Sequence, residues 1–202
     1  MIKNLVFDFG QVMIHFEPKY MVEAYVSDPE DSALLQKVVF DRLYWDRLDE
    51  DTITDEEVIE GCCSRLPERL HETAKKIYYN WVYNIPEIDG MRELVREMKK
   101  KHGVHVFLLS NISRYFVSHA DEIPSLKEFE KCIFSSVYKM VKPQKEIFAQ
   151  LCMECGILPE ESFFIDDNPQ NIKAAEAFGL HGYVFDGDAA KLRLFLDEML
   201  KK

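Results

Sequence analysis

The sequence predicts an α/β fold: a parallel sheet with an all-helical insertion after its first strand. Two observations carry this. Short β-rich runs, NLVFDF, VHVFLLSN, KCIFSS, SFFIDDN and GYVFDGD, each end where polar or small residues begin. Between the later runs lie stretches with apolar residues at helical spacing, and strands alternating with helices imply right-handed βαβ units with both sheet faces covered.

The first run contains one acid, Asp8, followed at once by Phe9 and Gly10. A strand built for burial rarely ends on a carboxylate without a reason, and the glycine is expected to let the backbone turn there. Residues 17–85 then break the alternation. They read as several helices in succession, with DEDTITDEEV supplying a turn and a capped helix start at Thr54. This segment is expected to form a helical cap domain over the C-terminal edge of the sheet, with 1–16 and 86–202 forming the core domain. Its aromatic residues, Tyr44, Trp45, Tyr78, Tyr79, Trp81 and Tyr83, are expected mostly to fill the interior of the cap, with one or two facing the crevice below. Arg42 and Arg47 read as surface ion-pair partners rather than substrate contacts.

The helix after the insertion, in DGMRELVREMKKKHG, places Met91, Leu94, Val95 and Met98 on one face. It carries lysines in its last turn, which suits the helix dipole, and stops at Gly103. KPQKEIFAQLCMECG and NPQNIKAAEAFG are likewise closed by a glycine. Cys152 and Cys155 match C-x-x-C but lie within helical periodicity, with no second pair to complete a zinc site, so they read as small helix residues. Asn171 is expected either to cap the last of these helices or to orient Asp167.

A length of 202 residues suits one domain carrying an insertion. The net charge of −11 disfavours nucleic acid or an anionic membrane as a partner, while leaving room for a local positive pocket that holds a small anion. The first residues lack the pattern of a signal peptide, no run approaches membrane-spanning length, and an odd count of five cysteines argues for reduced thiols. A cytoplasmic protein is expected.

In open α/β sheets ligands bind beyond the carboxyl ends of the strands. The strand ends here carry Asp8, Ser110 with Asn111, and Asp166 with Asp167, while Lys142 follows the third strand. Carboxylates and a backbone carbonyl at Gly10 suit a hard ion such as Mg2+, which relieves the repulsion among clustered acids and keeps sites open for phosphate oxygens. In that setting Asp8 is placed as a nucleophile toward phosphorus, Ser110 and Asn111 as donors to phosphoryl oxygens, and Lys142 as the neutralising cation.

FDFGQV, LLSN, KPQKEIF and FFIDDNPQNI, in this order and at these separations, resemble the four motifs of the haloacid dehalogenase superfamily, with the helical insertion placed like its type 1 cap. The resemblance spans nearly the whole chain. It implies a Rossmann-like core and a Mg2+-dependent phosphatase working through an aspartyl-phosphate. Asp8 and Lys142 would then be catalytic, Ser110, Asn111 and Lys142 would bind phosphate, and Asp8, Gly10, Asp166 and Asp167 would bind the metal. The implied partner is a small phosphorylated metabolite.

The departure lies in the first motif. Most phosphatases of that superfamily carry a second Asp where Gly10 stands and a Thr where Val12 stands. That second Asp protonates the leaving group and later activates water. General acid–base catalysis contributes about 10²–10⁴-fold, so its loss needs an answer. One answer is a leaving group that needs little protonation, such as the anomeric oxygen of a hexose 1-phosphate or the carboxylate of an acyl phosphate. The sugar-1-phosphate phosphatase branch, with its D-x-G-N-V motif, looks similar. Another is a substitute group in the cap, or His15, which otherwise reads as a polar hinge residue.

Two rival readings use the same residues. A 2-haloacid dehalogenase also lacks the second acid, but it needs no metal, and adjacent Asp166 and Asp167 make sense chiefly beside a cation. A degenerate binding protein would explain Gly10 and Val12, yet Asp8, Ser110, Lys142 and both later acids all remain.

Overall fold

The computed structural model describes residues 1–201. Strand β1 (Asn4–Phe7) is followed by five helices in succession: α1 (Pro18–Glu23), α2 (Pro29–Val39), α3 (Arg42–Asp49), α4 (Asp55–Arg65) and α5 (His71–Asn80). The rest alternates as expected. It comprises α6 (Met91–His102), β2 (His105–Ser110), α7 (Arg114–His119), β3 (Lys131–Phe134), α8 (Ser135–Tyr138), α9 (Lys145–Cys155), β4 (Ser162–Asp166), α10 (Pro169–Phe178), β5 (His181–Val184) and α11 (Ala189–Met199). No helix among the described residues is long and apolar enough to cross a membrane.

The five strands form one sheet in the order β3-β2-β1-β4-β5, with every neighbouring pair parallel. The chain winds outward on one side of β1 and then crosses to the other. The β1/β4 boundary is therefore the point where winding reverses, and its carboxyl end is the place for a ligand. Side chains alternate between faces with the period of two that strands impose. Leu5 and Phe7 of β1 join a core with Met91, Leu94, Val95 and Met98 of α6 and with Leu192 and Leu196 of α11. Val6, between them, faces a second core made with Ile147, Phe148 and Leu151 of α9 and Ile172 of α10.

Local signals set the helix ends. Thr54 and Glu57 form a capping box at the start of α4. Gly103 and Gly156 close α6 and α9 with positive φ angles of 67° and 65°, a conformation that costs glycine little.

The helical segment meets the sheet through a pair of linkers lying side by side. His15 donates its backbone N–H to the Pro86 carbonyl at 2.8 Å, Ile88 donates to Met13 at 2.9 Å, and Ile14 bridges to Glu87. Aromatic rings then carry one continuous core upward. Phe9 packs on Phe116 at 5.1 Å between centroids, Phe116 on Trp81 at 5.6 Å, and Trp81 on Trp45 at 5.2 Å. Tyr44, Trp45, Tyr78 and Trp81 are buried as expected, whereas Tyr79 and Tyr83 are exposed.

Candidate active site

Asp8 lies one residue past β1, and its backbone N–H still donates to Ile165 of β4 at 2.8 Å. The chain then turns, with the Phe9 carbonyl accepting from Met13 at 2.8 Å and from Ile14 at 3.2 Å. The turn does not depend on a glycine at position 10. The left-handed residue is Gln11, with φ 56°, and a Cβ built on Gly10 would meet only the Phe16 Cβ at an ordinary 3.8 Å. The residue that sequence reasoning made the pivot of the turn thus has room for a Cβ.

Lys142 joins the strand ends. Its ammonium lies 2.6 Å from Asp8 Oδ1 and 2.8 Å from Asp166 Oδ2, and it donates to the Leu109 carbonyl at 3.1 Å. The residue is only 4% exposed. Two neighbours fix this arrangement. Asn111 pairs its side-chain amide with the Lys142 main chain, and Asn171 donates to both oxygens of Asp166, at 3.1 and 3.0 Å. The expectation for Asn171 is corrected twice. It orients Asp166 rather than Asp167, and the cap of α10 is Asn168, whose side chain accepts from Gln170. The Asn168 N–H also donates to Asp166, at 2.8 Å. Ser110 is buried, and its hydroxyl makes only a long contact, 3.4 Å, to the next carbonyl.

The electrostatics are unbalanced. Asp8, Asp166 and Asp167 each offer a carboxylate oxygen within 4.8 Å of the others, against one buried ammonium. Burial, with Asp166 adding to it, raises Asp8 in spite of Lys142. Burial and Asp166 also raise Asp167. Burial alone would lower Lys142, but the two carboxylates outweigh it and hold the ammonium above its ordinary range. A further divalent cation is what such an oxygen-rich, under-neutralised cluster accepts, so the donor set fits Mg2+.

The cluster opens on a cavity of about 550 Å3, lined among others by Asp8, Gly10, Ser110, Asn111, Lys142 and Asp167 from the sheet side. Phe16, Phe40, Trp45 and Trp81 supply an aromatic wall. His15 does not line it.

A model of the haloacid dehalogenase-like hydrolases matches residues 2–179. The chain belongs to that family. Among curated relatives, this haloacid dehalogenase-like hydrolase is 27% identical to a D-ribitol-5-phosphate phosphatase of Bacteroides thetaiotaomicron, over 91% of each chain. Among solved structures it resembles a predicted hydrolase of this family from Porphyromonas gingivalis, with TM-score 0.72, 22% identity and complete coverage of both chains. It also resembles a family enzyme from B. thetaiotaomicron in complex with magnesium and inorganic phosphate, with TM-score 0.69, 24% identity, and coverage of 95% of this chain and 99% of the other.

One group facing the hydrolase's crevice escaped sequence reasoning. Arg42, Trp45 and Asp49 all line the cavity, at the i, i+3, i+7 spacing of one face of α3. That spacing was the available signal. Arg42 meets its expectation in pairing with Asp46 at 2.7 Å, but it also faces the cavity, while Arg47 lies off that face and donates to the Thr52 carbonyl at 3.1 Å. Cys152 and Cys155 are free, and burial pushes both thiols up to about 11, as suits inert helix residues.

Proposed function

We propose that the protein is a Mg2+-dependent phosphomonoesterase acting on a small phosphorylated carbohydrate through an Asp8 aspartyl-phosphate. The observation that carries this reading is the buried triad in which Lys142 bridges Asp8 and Asp166, with Asp8 and Lys142 lining the cavity. The relative named for D-ribitol 5-phosphate and the neighbour complexed with magnesium and phosphate support the substrate class and the ion.

Asp8, the Gly10 carbonyl and Asp167 would hold the ion directly. Asp166 belongs to the cluster, but its oxygens already accept from Lys142, Asn171 and the Asn168 N–H, so its share is to add charge and to fix Lys142. Bound Mg2+ supplies charge neutralisation for the phosphoryl oxygens. Asp8 attacks phosphorus from the strand end, while Lys142 restrains its carboxylate and offsets charge on the transferring group. Ser110 and Asn111 donate to phosphoryl oxygens. The aromatic wall packs against the carbon skeleton of the substrate, and the helical segment 17–85 acts as a cap that excludes water during transfer.

A hexose 1-phosphate answers the missing acid at Gly10 through its leaving group. The relative's substrate, by contrast, releases a primary alcohol, so both belong in the same test. A cytoplasmic location fits five unpaired cysteines, and the acidic chain does not suit nucleic acid. The test is phosphate release from sugar, polyol, nucleotide and acyl phosphates, with Mg2+ and with EDTA, and with 2-chloropropionate included for chloride release. Metal-dependent turnover of a sugar or polyol phosphate, abolished in a folded Asp8→Asn variant, is expected. Full activity of that variant, or chloride release alone, overturns the reading.

A further inference from the structure

We infer that Asp49, at the C-terminal end of α3, is the general acid and base of the reaction, taking the place of the side chain that Gly10 lacks. The inference rests on the phosphatase reading above and names a residue that reading leaves unassigned.

Three observations point to it. Asp49 lines the same cavity as Asp8, Gly10, Ser110, Lys142 and Asp167, facing them from the helical side. Among the described residues its carboxylate has no hydrogen-bond or ion-pair partner, whereas those of Asp46 and Asp51 do. Asp46 pairs with Arg42, and Asp51 with Arg114 at 3.5 Å and Lys139 at 3.3 Å. Its backbone is nonetheless anchored to the phosphate side of the site. The Ser135 hydroxyl donates to the Asp49 carbonyl at 2.7 Å and accepts from the Ile112 N–H at 2.9 Å, so one buried serine ties α3 to the loop that follows Ser110 and carries Asn111.

A free carboxyl on a fixed helix end that lines the same cavity as the nucleophile is suited to proton transfer. The groups acting on it are Arg42, Asp46 and Glu50 from its own helix and its end, and Lys142 from the facing loop. Burial dominates them and pushes the carboxyl up to about 7, where both protonation states are accessible near neutral pH.

The chemistry closes. As an Asp8 oxygen bonds to phosphorus and the ester P–O bond breaks, protonated Asp49 gives its proton to the departing alkoxide, releasing an alcohol. The resulting Asp49 carboxylate then takes a proton from water as the water oxygen attacks phosphorus. The Asp8–phosphorus bond breaks, inorganic phosphate leaves, and Asp49 is protonated again.

The test compares two substrates that differ in their need for an acid: the alkyl phosphate turned over best in the panel above, and 4-nitrophenyl phosphate. In Asp49→Asn the ratio of kcat/KM for the alkyl ester to that for the nitrophenyl ester is expected to fall by about 10²-fold or more, because the nitrophenolate leaves without help. Adding Gly10→Asp in the same protein is expected to restore much of the ratio by supplying a carboxyl from the turn after β1. A ratio unchanged in Asp49→Asn overturns the assignment. So does a fall that Gly10→Asp does not relieve, which marks a structural loss instead. Wild-type protein that hydrolyses neither ester overturns the phosphatase reading itself, so the two failures are distinguishable.

Discussion

The side chain of Asn111 and the main chain of Lys142 hold each other in both directions: the Lys142 N–H donates to Asn111 Oδ1 at 2.8 Å, and Asn111 Nδ2 donates to the Lys142 carbonyl at 3.0 Å. Sequence reasoning assigned Asn111 to the phosphate. The geometry gives it a prior task, which is to set the backbone from which Lys142 reaches Asp8 and Asp166. Asn111→Leu is therefore expected to displace the ammonium as well as to remove a donor, with kcat falling by roughly 10–100-fold and KM changing less. Steady-state kinetics check this, and a pure KM effect would restrict Asn111 to ground-state binding.

Among the described residues, Lys142 is the one cation that pairs with the buried acids Asp8 and Asp166. Lys142→Met leaves Asp8 and Asp166 facing each other unpaired, and breaking a buried pair in this way costs about 3–5 kcal/mol. Urea unfolding at pH 7 should show a loss of that order. Millimolar Mg2+ should recover part of it, because an ion that binds only the folded state stabilises it. No Mg2+ effect on the variant or on wild-type protein would remove the case for a cation at this cluster.

Asp49 gives a stability signature independent of turnover. The folded protein keeps a proton there up to about pH 7, while its ordinary value is 3.8, so between these values the native state binds more protons than the unfolded chain. The contribution of this group to stability is thus largest at low pH and falls as pH rises through the window, levelling above about 7. Asp49→Asn should match wild type near pH 4 and exceed it at pH 8 by on the order of 2 kcal/mol, allowing for the partial exposure of the carboxyl. Thermal melts across this range check it, and a pH-independent difference would count against a raised carboxyl.

Gly10→Asp alone should fold, because the position has space for a Cβ and its backbone is not left-handed. Its melting temperature is expected to stay within a few degrees of wild type, as an open position allows. Unfolding or aggregation of this single variant would show that the turn after β1 needs its glycine after all.

The sheet was legible in the sequence because burial on both faces writes continuous apolar runs, as in Leu5, Val6 and Phe7, and because Gly103 and Gly156 mark helix ends by their backbone preference. The candidate site was legible where acids concentrate at strand ends, as with Asp8, Asp166 and Asp167, which the fold brings together. What escaped depended on pairings distant in sequence. Asn171 and Asn168 both sit near the start of α10, and only the folded geometry separates the side chain that caps the helix from the side chain that holds Asp166. Asp49 was hidden among neighbouring acids in an acidic stretch, and only the helical face it shares with Trp45 distinguishes it.

The linkers into and out of the helical segment, Ile14–His15 and Pro86–Ile88, run hydrogen-bonded together, so the whole insertion enters and leaves through one doorway. An exchange of segments at that doorway would keep the nucleophile, the lysine and the acids with the sheet. The proton donor would travel with the graft. A transplanted helical segment that brings a new specificity but no carboxyl at the end of its third helix would bind its substrate and turn it over slowly, unless an acid were restored at position 10. Substrate choice and the proton chemistry would thus be inherited together.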